Sequence, residues 1–510
     1  MSDHVEAALF AAIFLLSAAL LNHLLTGKRR QNAYPPGPFP LPIIGHLHLL
    51  GPRLHHTFHD LTQRYGPLMQ VRLGSIRCVI AATPELAKEF LKTSELVFSA
   101  RKHSTAIDIV TYESSFAFSP YGPYWKYIKK LCTYELLGAR NLNHFLPIRT
   151  IEVKTFLEAL MQKGKTGERL NVTEELVKLT SNVISQMMLS IRCSGTEGET
   201  EAVRTVIREV TQIFGEFDVA DIIWFCKNFD FQGIRKRSED IQRRYDALLE
   251  KIITDREKQR RTQHGGEAKD FLDMFLDIMK SGKAEVNFTR DHLKALILDF
   301  FTAGTDTTAI VVGWAIAELI NNPNVLKKAQ AEIDKVVGLH RILQESDGPN
   351  LPYLNAVIKE TFRLHPPIPM LSRKSISDCV IDGYTIPANT LLFVNIWSMG
   401  RNPKIWDNPM AFRPERFLEK EKTGIDIKGQ HFELLPFGTG RRGCPGMLLA
   451  IREVVVIIGT VIQCFDWKLP VDDVSGLVDM TERPGLTAPR ADDLICRVVP
   501  RVDPLVVSGH

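Results

Sequence analysis

The sequence predicts a mainly α-helical protein with a small β region, folded as one globular domain behind an N-terminal membrane anchor. Three observations lead there. Helical periodicity dominates after about residue 150. The β-like stretches are short and early, at Met69-Gln-Val-Arg-Leu73 and Cys78-Val-Ile80. Alternating strand–helix patterning, the mark of a doubly wound sheet, is absent over most of the chain. With 510 residues, 45% of them hydrophobic, the chain has ample material for a large core. No linker-like composition divides it, and no repeat recurs at solenoid periods.

The first element is the anchor. Residues Ala7 to Thr26 carry no charge. Roughly twenty residues of helix reach about 30 Å, enough to cross a bilayer core. Asp3 and Glu6 precede this stretch and Lys28, Arg29 and Arg30 follow it. The positive-inside rule then places the rest of the chain in the cytosol. A cleaved signal peptide would want a positive start and a shorter apolar run, so an uncleaved single-pass anchor fits better. Three segments result: 1–33 is the anchor with its basic flank, 34–50 a proline-rich hinge and entry, and 51–510 the globular domain. In Tyr34-Pro35-Pro36-Gly37-Pro38 the prolines fix φ and cannot continue a helix. They form either a stiff hinge that sets how the domain sits on the membrane or an ordinary linker.

Charge and cysteine usage exclude some functions. The net charge of +4 is small and well mixed, which argues against a nucleic-acid partner. The eight cysteines are scattered with no CxxC pair, which suggests a reducing compartment rather than a disulfide scaffold. Asn171-Val-Thr173 and Asn287-Phe-Thr289 match the glycosylation pattern, but a cytosolic domain is never modified there.

Later in the chain a charged loop around His264 to Lys269 separates two helical stretches. The longest helix is expected from about Asp291 to Leu319, capped by Thr289 and stopped by Asn321-Asn322-Pro323. It is apolar nearly all round and should be buried. A second membrane span is the rival reading, but Asp299 and Asp306 would be costly in lipid.

The segment Phe437-Gly-Thr-Gly-Arg-Arg-Gly-Cys-Pro-Gly446 is the strongest candidate site. Gly438-x-Gly440-x-x-Gly443, with Asp466 downstream, fits a dinucleotide fingerprint. Pro445, however, follows the glycines and would open the helix in their place. Cys444 lacks a CxxC partner, so zinc is disfavoured. It could be a buried structural cysteine, or a thiolate at a helix start, where backbone N–H groups and the dipole stabilise it. Arg441 and Arg442 add positive charge nearby, and Phe437 can shield the sulfur from solvent.

Phe437-x-x-Gly440-x-Arg442-x-Cys444-x-Gly446 resembles the haem-binding signature of the cytochrome P450 family, matched at every fixed position. The resemblance implies the cytochrome P450 fold, with haem b (iron protoporphyrin IX) between two long helices and Cys444 as axial iron ligand. Phe437 and Gly438 would lie beside the cofactor. Three further motifs occur in the expected order. Glu360-Thr-Phe-Arg363 and Pro414-Glu-Arg416-Phe417 imply a Glu360–Arg363–Arg416 network behind the haem loop. Ala303-Gly304-Thr305-Asp306-Thr307-Thr308 resembles the oxygen-activation motif. There a mid-helix threonine hydroxyl can bond a carbonyl one turn back and disturb the ladder, leaving a groove where Thr307, with Asp306 as relay acid, passes protons. Trp125-x-x-x-Lys129 resembles the propionate-binding helix, with Lys129 where many members carry arginine; a lysine lacks the bidentate fork. Arg373 and Arg442 stand where the family places other propionate partners.

The anchor, the hinge and the Pro414–Phe417 form resemble plant microsomal enzymes, which implies the endoplasmic reticulum membrane with the catalytic domain on its cytosolic face. Electrons would come from NADPH through NADPH–cytochrome P450 reductase, with O2 as oxidant. Lys126, Lys129, Lys130 and Arg441 are candidates for the basic face that docks it. Ser104 through Tyr112, Tyr121 through Trp125 and Leu131 through Leu137 resemble flavone synthase II and flavanone 2-hydroxylase. The implied substrate is a flavanone such as naringenin. Its C-2 hydrogen is benzylic and next to the ring oxygen, so that C–H bond is comparatively weak. Isoflavonoid formation and aromatic-ring hydroxylation are sister activities, and a nicotinamide-dependent oxidoreductase is the outsider. Substrate contacts are expected at Ser114, Phe116 and Phe118, at Phe214 and Phe217, and at Phe301, Thr302 and Ala303. Ile368, Met370 and Leu371 follow, with Leu486 near the C-terminus.

Overall fold

A computed structural model describes residues 34–193, 199–262, 270–282, 284–470 and 476–503. The expected anchor in 1–33 and the charged loop at 264–269 lie outside the described residues. The elements that position the site are, in chain order, α1 (Leu54–Tyr65), β1 (Leu68–Leu73), β2 (Ile76–Ala81), α2 (Pro123–Lys130), α3 (Val172–Leu189), α4 (Glu199–Phe214), α5 (Ile234–Thr262), α6 (Arg290–Asn321), α7 (Pro352–Leu364), β3 (Met370–Lys374), β4 (Leu391–Asn395) and α8 (Met447–Cys464).

The long helix forms where its ends dictate. Thr289 accepts from the His292 backbone N–H, and the His292 side chain closes the capping box back onto residue 289. Asn322 and Pro323 end the helix. Between them α6 buries residues on every side, packing against α3, α7 and α8. It is long and apolar enough to cross a membrane, as is α8, but burial within the fold identifies both as core helices. Asp299 and Asp306 both turn into an internal cavity.

Strands are more frequent late in the chain than the helical periodicity suggested. The sheet order is β1-β2-β4-β3: β1 pairs antiparallel with β2, β4 runs parallel to β2, and β3 closes antiparallel on β4. In β3 the side chains of Leu371 and Arg373 are buried, while Met370, Ser372 and Lys374 face the other way. The proline-rich entry is not free chain. The Gln70 N–H donates to the Pro36 carbonyl at 2.8 Å, and His46 N–H donates to Arg72 O at 2.7 Å, so residues 36–46 run along β1. Gly37 is required at this approach, since a Cβ there would lie 2.1 Å from the Gln70 carbonyl oxygen.

The Glu360 network is present and wholly buried. Arg363 grips Glu360 with two bonds of 2.7 Å, and Arg416 Nε donates to Oε1 at 3.0 Å. All three side chains have no solvent exposure. The Arg413 backbone N–H also donates to Glu360 at 2.8 Å. The remaining guanidinium protons reach the carbonyls of Gly400, Asp407, Pro409 and Ala411. Two cations on one carboxylate in an interior cost much in desolvation, and these carbonyls offset it. Glu360→Gln should leave two buried guanidiniums uncompensated and destabilise the domain by about 3–5 kcal/mol. Thermal unfolding of the purified variant would show the loss; an unchanged midpoint would refute it.

Candidate active site

One cavity of about 1270 Å³ lies between α6 and the loop that precedes α8. Its floor is that loop. Phe437, Gly438, Arg442, Gly443, Cys444 and Gly446 all line it. Gly438 and Gly440 take φ of 66° and 68°, so the backbone turns twice in the left-handed region before Cys444. The Cys444 N–H closes the turn on the Phe437 carbonyl at 2.9 Å. The described residues 418–437 just before these glycines form no strand, which removes the strand–turn–helix setting that a dinucleotide fingerprint needs. Cys444 Sγ is exposed to the cavity while enclosed by protein. Burial pushes its thiol pKa up. The N–H groups of Gly446 and Met447 and the charges of Lys129 and Arg101 oppose that shift.

The opposite wall is α6 from Phe301 to Thr308. Thr307 Oγ1 donates to the Ala303 carbonyl one turn back at 2.8 Å. The expected disturbance of the ladder does not follow: α6 stays continuous through this turn. Gly304 answers a packing need, because a Cβ there would lie 2.6 Å from Ile184 Cδ1 on α3. Asp306 lines the cavity, and burial raises its carboxyl pKa against the pull of Arg208.

One side of the cavity is strongly cationic. Arg101, Arg373 and Arg442 all line it. Arg442 is buried, its guanidinium 4.6 Å over the Trp125 ring, and its Nε donates to Ser99 O at 2.8 Å. Burial, and then the charge of Arg101, pushes its pKa down to about 9. Arg373 is held well below the ordinary guanidinium range by burial and by Arg101 and Arg442. Arg442 Nη1 and Arg101 Nε are buried without hydrogen-bond partners. Lys129 Nζ donates to the Gly443 carbonyl at 2.8 Å. Buried guanidiniums that crowd one another without a bonded carboxylate fit a ligand that brings its own anionic groups. A flat macrocycle with two carboxylates answers that need, and Trp125, stacked on Phe116 at 5.7 Å, offers it an aromatic flank.

Nine of the expected substrate contacts border the cavity: Phe116, Phe118, Phe214, Phe301, Thr302, Ala303, Ile368, Leu371 and Leu486. Three do not. Met370 sits on the reverse face of β3 and packs toward Phe58 and Met69. Phe217 is past the end of α4 and 48% exposed. Ser114 turns its hydroxyl onto the Tyr112 carbonyl, away from the cavity. Of the expected basic face, Lys129 points inward, Lys130 pairs with Glu285, Arg441 pairs with Glu95, and Lys126 lies over the Tyr121 ring.

Two site residues were missed. Arg101 sits in irregular chain, where periodicity gives no signal. Asp299 was legible as a member of the face shared by 299, 303 and 306 on α6. Its carboxylate accepts from Ser115 Oγ and the Phe116 N–H, both at 2.7 Å, and so ties the segment bearing Phe116 and Phe118 to the helix. Burial raises its pKa to about 6 in spite of those bonds.

The family model for Cytochrome P450 matches residues 35–496. Cytochrome P450 93B2 of Gerbera hybrida is 59% identical, with 98% of each chain covered. The 2-hydroxyisoflavanone synthase of Glycyrrhiza echinata is 44% identical over 96% of this chain and 97% of its own. Among solved structures, a zebra fish cytochrome P450 with progesterone superposes with a TM-score of 0.75 at 27% identity, covering 89% of this chain and all of that one. With the cysteine loop, the cationic pocket and this likeness along its length, the chain belongs to the cytochrome P450 family.

Proposed function

We propose that this monooxygenase holds haem b through Cys444 and oxidises a flavanone at C-2, giving a flavone directly or a 2-hydroxyflavanone. The observation that carries the haem assignment is the meeting, in one cavity, of a cysteine at a helix start with three guanidiniums that lack a bonded carboxylate. Arg101, Arg373, Arg442 and Lys129 would hold the propionates. Membership in the family brings haem, O2 and electrons from NADPH through a reductase. A cysteine-ligated haem supplies O2 activation, since the thiolate pushes electron density toward O–O cleavage.

The chain's own residues do the rest. Thr307 keeps a hydroxyl at the cavity wall, anchored on Ala303, where it can hold a proton or a water. Asp306 borders the same cavity, its proton affinity raised by burial, and would serve as the relay acid. Phe116, Phe118, Phe214 and Phe301 make the far walls aromatic, which suits a flat phenolic heterocycle and excludes water. The flavanone reading rests on the segments that resemble flavone synthase II and on the 59% identical relative. A second reading, isoflavonoid formation, is favoured by the relatives named 2-hydroxyisoflavanone synthase at 44% identity.

The same reading sets the domain at the endoplasmic reticulum membrane through an N-terminal anchor, on its cytosolic face. Exposed Phe39, Leu41 and Ile43 in the proline-rich entry segment support it. So do Trp224, Phe225, Phe229 and Phe231, whose segment is hydrogen-bonded to the β1–β2 turn at Ser75.

Three outcomes test this. Reduction under carbon monoxide should give the red-shifted Soret band of thiolate-ligated haem, and Cys444→Ser should abolish both band and turnover of naringenin; retained activity with normal haem would overturn the ligand assignment. Thr307→Ala should lower product formed per NADPH oxidised severalfold, and unchanged coupling would remove the threonine from proton delivery. Asp299 tests the pH dependence. Its pKa is raised to about 6 on folding, so its protonated form stabilises the native state at low pH and that contribution is lost as pH rises through about 6. Against Asp299→Asn, the wild-type unfolding midpoint should lose ground between about pH 4 and pH 6, from the ordinary carboxyl range up to the raised value, and level off above it; a constant difference would contradict it.

A further inference from the structure

The chain segment 481–491 folds back on itself and sends its tip into the cavity. Arg483, Pro484, Gly485, Leu486 and Thr487 all border it. The base is closed by Ala491 N–H to Thr481 O and Arg483 N–H to Pro489 O, both at 2.8 Å. One flank is pinned at Ala488. Its N–H donates to Pro367 O at 2.9 Å, and its carbonyl accepts from Trp314 Nε1 of α6 at 2.9 Å. The other flank is pinned by Glu482, a buried carboxylate far from the haem loop in sequence.

Glu482 is held from two elements. His55 and His56 of α1 bring their Nε2 atoms to Oε2 at 2.6 and 2.9 Å. Trp397, just after β4, donates Nε1–H to Oε1 at 2.8 Å. The Arg401 guanidinium covers that indole at 3.8 Å. Two histidines and a carboxylate so close together raise the question of a metal ion. The spacing answers it. Donors on one tetrahedral ion, each about 2.0–2.1 Å from it, stand about 3.3 Å apart. These stand at hydrogen-bond separations. Burial lowers the pKa of His55, which suits a neutral ring donating to an ionised Glu482.

The tip meets the end of α4. A Cβ on Gly215 would lie 3.9 Å from the Leu486 backbone nitrogen, and Phe214, Gly215 and Glu216 border the same cavity. The hairpin tip and the end of α4 are therefore two lips of one opening. We propose that Glu482 is a positioning residue: gripped by His55, His56 and Trp397, it fixes the Arg483–Thr487 tip against Gly215 and so sets the size of ligand the cavity accepts. This rests on the haem assignment and not on the flavanone reading.

The test uses full-length enzyme with its haem in membranes, titrated with two iron-binding azoles, small imidazole and bulky clotrimazole, followed by the Soret shift. The variants are Glu482→Gln, Trp397→Phe and His56→Ala. The carbon monoxide band and the imidazole Kd should stay at wild-type values. The clotrimazole Kd should rise about tenfold in Glu482→Gln and less in the other two, because a loosened wall must be ordered on binding. Equal shifts for both azoles, no shift for clotrimazole, or its tighter binding would overturn the proposal. So would loss of the band in all three variants, which would make the clamp a folding element. A missing band in the unmutated enzyme would instead refute the haem assignment.

Discussion

Glu360 is one carboxylate shared by two arginines with no water in reach, and much of the fold is arranged so that this is tolerable. Arg363 and Arg416 carry more hydrogen-bond donors than a single carboxylate can accept. The surplus goes to backbone carbonyls between residues 400 and 411. That irregular stretch thereby gains a fixed path without secondary structure of its own. Gly400 shows how tight the path is, since a Cβ there would lie 2.2 Å from the Arg363 carbonyl. The Cys444 loop leaves the far end of this region, and Phe437 packs edge-on against Phe362 of the same helix, α7. Positioning of the cysteine thus runs back through α7 to one buried charge cluster.

The cavity repeats the problem with the opposite solution. Around Glu360 the protein supplies both signs of charge. Around Arg101, Arg373 and Arg442 it gives the guanidiniums backbone acceptors but, among the described residues, no bonded carboxylate, and leaves Arg442 Nη1 and Arg101 Nε without hydrogen-bond partners. Asp299 is near Arg101 but is occupied by Ser115 and the backbone of Phe116. Buried guanidinium nitrogens without partners that face a cavity fit a ligand that brings its own acceptors.

What the sequence made legible follows from how local each signal is. The long helix could be read because Thr289 and Asn322-Pro323 mark its ends within a few residues. The Cys444 loop could be read because its glycines sit at positions where the backbone turns, two of them at positive φ. Strand β4 could not. Leu391-Leu392-Phe393-Val394 is a short apolar run, and nothing local says that it will lie parallel to β2 from the other end of the chain. Met370 failed for a related reason: its neighbour Leu371 does reach the cavity, but the parity of β3 was invisible without its partner strand. Arg101 had no periodic context at all. Local chemistry could be recovered, whereas register and long-range pairing could not.

The two guanidinium nitrogens without partners, Arg101 Nε and Arg442 Nη1, also bear on stability. A buried donor left unpaired costs roughly 1–3 kcal/mol, and more when it carries charge. Here two such costs fall in one pocket, beside a cysteine whose ionisation burial opposes. A ligand that brings two carboxylates and a metal for the sulfur would remove them together, and its binding energy would then add to the folding energy of the loop, α2 and β3. The Glu360 cluster carries no such dependence, because the donors its one carboxylate cannot accept are met by backbone carbonyls within the chain. On the proposed assignment the domain is therefore divided: α7 and the 400–417 stretch hold their geometry through bonds made within the chain, while the walls that bear Arg101, Lys129, Arg373 and Arg442 would gain stability from the group they hold.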